Sequence, residues 1–256
     1  MLKLYKDDDH VIIATTNRHQ GYSHHPYDSL NMAYYVGDNN DHVLANRNLI
    51  ASNIKIPLTK WVFPKISHST NIHKVESSDL GKGAFNENDS ILNVDGLYTD
   101  LPEVVLCVFH ADCIPFVFYD SNKRLIGVVH AGWKGTLHKI VDAFLINWIE
   151  NEKCNPHDIE VIIGPSLSKE NFMVKDDVIQ KVKDLAPEFT QYLEFVNDQQ
   201  AYFDAVAMNL SLIQSHGILE SQISVNHDCT FANSNQYFSY RRDNTTGRHI
   251  TFAALK

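Results

Sequence analysis

Residues 104–131 read VVLCVFHADCIPFVFYDSNKRLIGVVHA. They hold three apolar runs, VVLCVFH (104–110), IPFVFYD (114–120) and LIGVVHA (125–131), the second closed by the turn-like Asp120-Ser121-Asn122. Runs of this length, rich in β-branched and aromatic residues and bounded by turn signals, predict buried strands. Cys113 follows the first run and His130 closes the third. Strands that end together can deliver a thiolate and an imidazole to one rim of a sheet, where α/β proteins keep their chemistry.

Outward from this stretch, strands and helices alternate. VIIAT (11–15) predicts a strand, 17–32 an irregular loop, and DHVLANRNLIASN (41–53) a helix capped by Asn40 or Asp41. WVFPKISH (61–68) reads as a strand interrupted by Pro64, and 76–93 as a polar excursion loop. Apolar residues at 137, 140, 141, 144, 145 and 148 predict one helix over 136–150, opened by Thr136. IEVIIGP (159–165) predicts a strand, DDVIQKVKDLA (176–186) a helix, YLEFV (192–196) a short strand and 201–216 a second amphipathic helix. Three strands, ISVNH, YFSYRRD and RHITFAAL, close the pattern. The fold class is α/β (α+β mixed), a mixed β-sheet core with helices packed on its faces, in a single domain over 1–256.

The net charge of −9 comes without a Lys/Arg block, which argues against nucleic acid as a partner and leaves a small anion open. No apolar stretch approaches the roughly 20 residues of a membrane span. Three acids in MLKLYKDDDHVIIATT stand where a signal peptide carries its apolar segment, so a cytoplasmic protein is expected. Cys107, Cys113, Cys154 and Cys229 form no CxxC pair and are expected to be reduced. The oligomeric state is not legible.

Several constellations carry chemistry. His68, Cys113 and His130 suit zinc, which accepts imidazole and thiolate together and keeps a fourth position open. The same Cys113 and His130 suit a nucleophile and its base, with Asp112 or Asp120 orienting the imidazole. A buried cysteine and two satisfied histidines would look the same in sequence. VVHAGWKGT leads through Gly132 and Gly135 into a helix start, where free N–H groups and Lys134 favour an anion, although a tight turn without ligand needs the same glycines. SYRRDNTTGR places Arg241, Arg242 and Arg248 beside aromatics, a pattern shared by phosphate sites and by plain hairpin turns. Asn46-Arg47 reads as the polar face of a helix.

Together these segments resemble the laccase-domain family, long described as multicopper polyphenol oxidases and now understood as purine nucleoside phosphorylases. The matching motifs are the 18–23 loop with SLNM (29–32), VGDN with ANR (45–47), ISHS around His68, DGLYTD, HADCIP, VVHAGWKG, IGPSL and the terminal HDCT with YFSYRRDNTTGR. The resemblance implies that His68, Cys113 and His130 bind zinc, with copper the older assignment. It implies a transferase cleaving adenosine, inosine and methylthioadenosine with phosphate to free base and (methylthio)ribose 1-phosphate, with an adenosine deaminase side activity.

Asp112, beside Cys113, is the carboxylate expected to shuttle the deamination proton, with Asp95 as rival. Together with Cys113 and His130 it makes up the expected catalytic set. Asn31, Arg47, Gly132, Lys134 and Arg242 are expected to bind substrate, the turn and the two arginines being candidates for phosphate. Two departures bear on substrate preference. Ile66 stands where the family has Gln, and Gln20-Gly21-Tyr22-Ser23 where it has Gly-Gly-Val-Ser. The HxH pairs and HCHxxxH of multicopper oxidases are absent. A cysteine hydrolase, a copper-dependent polyphenol oxidase and a non-catalytic nucleotide-binding protein are the alternatives.

Overall fold

The three apolar runs at 104–131 each form a strand, but they are divided between two sheets. The computed structural model describes residues 1–185 and 187–256; Ala186, at the end of the helix expected over 176–186, lies outside them. In chain order the strands are β1 (Leu2–Asp7), β2 (Val11–Thr16), β3 (Trp61–Val62), β4 (Pro64–Lys65), β5 (Ile72–Lys74), β6 (Ile91–Leu92), β7 (Gly96–Thr99) and β8 (Val105–His110). They continue with β9 (Ile114–Asp120), β10 (Leu125–Ala131), β11 (Ile159–Ile163), β12 (Met173–Lys175), β13 (Leu193–Asn197), β14 (Gln200–Phe203), β15 (Ile223–Val225) and β16 (His249–Leu255). The main helices are α1 (Asn40–Ile54), α2 (Trp133–Leu137), α3 (Ile140–Ile146), α4 (Asp176–Leu185) and α5 (Ala205–Ser215).

Of the two main sheets, one has the order β1-β2-β16-β8-β3 and the other β15-β11-β9-β10-β7-β5, so the chain crosses between them at 111–113. Most neighbours are antiparallel; β3–β8, β11–β15 and β5–β7 are parallel. The sheets share an apolar layer, with Ile13, Leu106 and Ala253 from one meeting Val117, Val128 and Ile162 from the other. Alternate residues point outward. On the outer face of the first sheet Ile12, Phe109 and Phe252 pack with Ile50 and Ala51 of α1. On that of the second Phe116, Phe118 and Val129 pack with Phe144 of α3 and Met208 of α5. Because both faces of each sheet are covered, these mainly antiparallel strands read as unbroken apolar runs rather than as an alternation with polar residues. The mixed α/β class expected from sequence holds, with two stacked main sheets and two small ones, β12-β14-β13 and β4-β6, instead of one.

Local expectations differ in four places. Asn39, not Asn40 or Asp41, caps α1, its side chain accepting from Asp41 N. The helix expected over 136–150 starts at Trp133 and breaks at Lys139, whose φ is +58°. Thr136 is no cap, because its hydroxyl accepts from Asn209 of α5. All six apolar positions still face the core, so the periodicity was informative although the backbone is discontinuous. Residues 201–203 extend into β14 before α5 begins. YFSYRRD forms turns rather than a strand, because Arg242 folds back onto the carbonyls of Thr230, Phe231 and Tyr237.

Candidate metal centre and cavity

Asp95, fully buried just ahead of β7, organises the site. Its carboxylate accepts from the backbone N–H groups of Ser67 (3.2 Å), His68 (2.9 Å) and Ser69 (2.8 Å), from both serine hydroxyls, and from His130 Nδ1 at 3.0 Å. Three converging N–H groups hold the 67–69 loop in a tight turn, with His68 at φ +58°. His130 N also donates to Asp95 O, which ties the end of β10 to the same residue. Cys113 lies at the crossing between the sheets, immediately before β9. The Nδ1–H of His130 is committed to Asp95, so Nε2 is the ring nitrogen that faces Cys113 and would meet a metal.

His68, Cys113 and His130 therefore meet, with one ligand atom from each lying within 4.8 Å of the other two. Gly132 makes the room: a Cβ there would stand 2.8 Å from His68 Cδ2 and 3.2 Å from Cys113 Sγ. Burial pushes the Cys113 thiol up, but the His130 and His68 imidazoles outweigh it and bring it down to about 6. Burial likewise pushes His130 down, while the Cys113 thiolate and Asp95 raise it to about 9. The Asp95 carboxyl is held well below the usual range by His130 and Ser69 despite its burial. Two imidazoles and a readily ionised thiol form a donor set that fits zinc, with one side open.

That open side is a cavity of about 780 Å³ lined by the three residues and by Ile66, Phe109, Asp112, Trp133, Phe172 and others. Asp112 carries positive φ, and its carboxylate accepts from Thr230 Oγ1 and from Arg241 N, each at 2.6 Å. It lines the cavity, whereas Asp95 stands behind His130 and does the orienting expected of Asp112 or Asp120. Asp120 is far along β9, accepting from Asn122 N and Lys123 N in the turn.

The residues expected to bind substrate separate. Arg47 lines the cavity but is buried, with Nε and Nη2 donating to Met32 O and Nη1 to Gly83 O and Ala84 O. Its guanidinium is sandwiched at 4.2 and 4.1 Å by Tyr34 and Phe63, so it clamps two loops and has little left for phosphate. Arg242 is spent on its three carbonyls and lies off the cavity. Lys134 is exposed on another surface, over the Trp133 ring. Asn31 is buried, donating to Ala33 O and Asp38 and accepting from Ala33 N and Arg248 N. Gly132 packs against His68 and Cys113. Ile66 does line the cavity, while residues 20–23 do not. Tyr22 N donates to Asn46 and Ser23 Oγ to Asp38, pinning that loop elsewhere.

The model of the multi-copper polyphenol oxidoreductase laccase family matches residues 12–256. The chain belongs to this family. Members similar to it include the purine nucleoside phosphorylase YlmD of Bacillus subtilis, 35% identical over 252 residues, which cover 98% of this chain and 91% of YlmD. YlmD of Geobacillus stearothermophilus, also called a purine nucleoside phosphorylase, is 35% identical over 244 residues, 94% of this chain and 89% of its own. Its crystal structure superposes with a TM-score of 0.92 over 96% of this chain and 92% of that one. The hypothetical protein YfiH of Bacillus licheniformis gives a TM-score of 0.93 at 36% identity, covering 96% and 93%. The motifs quoted from the sequence thus pointed to the right family.

Sequence reasoning did not single out the cavity's aromatic wall, including Tyr34, Tyr35, Phe172 and Tyr240. Those residues come from three separate regions of the chain, around positions 34–35, 172 and 240. Only the aromatic run before Arg241 gave any local signal.

Proposed function

We propose that the chain is a zinc-dependent purine nucleoside phosphorylase acting on adenosine, inosine and methylthioadenosine. The observation that carries this reading is the His68–Cys113–His130 cluster opening onto an aromatic-walled cavity of about 780 Å³, within the size range of small-molecule sites. Relatives named as purine nucleoside phosphorylases supply the substrate class. A phosphate oxygen bonds to C1′, the C1′–N9 bond breaks with its electron pair going to the purine, and the proton of hydrogen phosphate ends on the base. Bound zinc would supply an electrophilic position facing the cavity. Phe109, Trp133 and Phe172 offer faces for the purine, Asp95 fixes the His130 tautomer, and Asp112 is the cavity carboxylate suited to moving a proton during adenosine deamination.

The reading extends to one domain over 1–256, supported by β16 pairing between β2 and β8. It also places the enzyme in the cytoplasm. Among the described residues no helix is long and apolar enough to cross a membrane. A His₂Cys donor set can hold one copper ion as well as zinc, so metal analysis reads both. Among the described residues no second group of three such ligands accompanies it, which argues against a multicopper oxidase.

Purified protein incubated with adenosine, with and without phosphate, tests the reading by chromatography. Phosphate-dependent adenine and ribose 1-phosphate are expected, with inosine as a minor product. Adenine release indifferent to phosphate would overturn it.

One observation favours a second reading. Asp95, His130 and Cys113 stand in the order of a cysteine hydrolase triad, with the thiol lowered to about 6. As a zinc ligand Cys113 should resist iodoacetamide until a chelator is added; as a nucleophile it should react at once in the holo protein.

A further inference from the structure

Four cationic side chains line the cavity: Arg47, Lys65, Arg241 and Arg248. Their hydrogen bonds sort them. Arg47 is occupied by three carbonyls and two aromatic faces. Lys65 pairs with Glu87 at 3.2 Å. Arg241 spends only Nη1, on Met173 O at 2.9 Å, and rests over the Phe172 ring. Arg248 spends only Nη1, on Thr246 O and Gly247 O, and rests over the Tyr240 ring. For both, among the described residues, Nε and Nη2 have no protein acceptor and no carboxylate lies within ion-pair distance. Two guanidiniums, each anchored by one nitrogen and an aromatic face, leave their remaining edges to a ligand.

The segment carrying them is pinned at three points. Arg241 N donates to Asp112, the residue before Cys113. Arg242 clamps Thr230, Phe231 and Tyr237. Arg248 N donates to Asn31 Oδ1. Asn31 and Arg242 thus act as positioning residues for a cationic edge next to the metal cluster. In a chain of net charge −9, an anion reaches this cavity only through such local charge.

We propose that Arg241 and Arg248 form the subsite for inorganic phosphate, the attacking co-substrate. The assignment rests on the phosphorylase reading and deepens it. Guanidinium edges match phosphate oxygens two at a time, and two of them neutralise a dianion.

The test compares wild type with Arg241→Ala, Arg248→Ala and the two Lys variants, measuring KM for phosphate and for adenosine separately. Each Ala variant should raise the phosphate KM roughly tenfold or more, from the loss of a charge-assisted hydrogen bond, while the adenosine KM stays within about twofold. The Lys variants keep the charge and should recover part of the loss, and they also replace any Ala variant that melts early. Adenosine 5′-monophosphate separates two sources of the same dianion. If its turnover falls in the variants while the phosphate KM holds, the arginines serve a nucleotide and the assignment to inorganic phosphate is overturned. An unchanged phosphate KM in all variants of a phosphate-dependent wild type overturns the subsite alone. A wild type indifferent to phosphate overturns the phosphorylase reading with it.

Discussion

Replacing Asp95 by Asn removes one charge and exchanges one acceptor oxygen for an NH₂ donor, with almost no change of volume. Six donors converge on this carboxylate. The serine hydroxyls can rotate to accept from an amide; the backbone N–H groups cannot. An NH₂ at the Oδ2 position faces Ser67 N and Ser69 N, and at the Oδ1 position it faces His68 N. At least one half-buried N–H aimed at this carboxylate therefore loses its partner, costing about 1–2 kcal/mol, and His130 loses its anionic neighbour besides. The total should be about 2–4 kcal/mol of stability. The second consequence is chemical. An amide NH₂ facing His130 Nδ1 favours the tautomer with the proton on Nε2, which occupies the lone pair that would bind a metal. Zinc affinity should then fall roughly 10- to 100-fold. Urea denaturation of the metal-free variant reads the first effect and chelator competition the second. Unchanged zinc affinity together with a stability loss under about 0.5 kcal/mol would refute the view of Asp95 as organiser.

Arg47→Ala should remove the clamp on Met32 O, Gly83 O and Ala84 O and leave a cavity between Tyr34 and Phe63, costing about 3–5 kcal/mol, seen as a melting temperature lowered by roughly 10 °C. A variant that melts normally but binds phosphate poorly would show that Arg47 serves the ligand instead. Gly132→Ala places a methyl against His68 and Cys113, so zinc affinity should drop at least about tenfold while the metal-free protein melts nearly as before. Retention of full affinity would mean that the loop gives way freely. Burial lowers His249 to about 3 and His110 well below its usual value. Unfolded histidine titrates near 6.5, so the unfolded state binds more protons between about pH 6.5 and 3. Stability should therefore fall as pH is lowered through that window, by about 1.4 kcal/mol per pH unit for His249, with His110 acting in the same direction. Urea midpoints from pH 7.5 to 4.5 should show this, with a shallower slope in His249→Gln; parallel slopes would refute it.

The family and the His68–Cys113–His130 cluster were legible because both rest on motifs local in sequence. HADCIP puts Cys113 where the chain changes sheets, and VVHAGWKG puts His130 at a strand end with Gly132 close behind. The strands were legible as apolar runs, but their division between two sheets was not, since a run covered on both faces looks the same in either arrangement. Side-chain direction was the larger loss. Arg47, Arg242 and Asn31 sit in matching motifs, yet all three turn to backbone carbonyls or loop partners. Nothing in their spacing separates them from Arg241 and Arg248, which keep donors free. Asp95 was legible only as a rival to Asp112, because its role depends on a loop 26–28 residues earlier folding over it.

The proposed function puts phosphorolysis in the cavity that His68, Cys113 and His130 line. Its most direct test is phosphate-dependent ribose 1-phosphate formation, measured alongside bound metal in wild type, His68→Ala and Cys113→Ser. About one zinc per chain is expected in the wild type, with product formation that falls in step with zinc in both variants. A metal-free variant that still forms ribose 1-phosphate at the wild-type rate would contradict it.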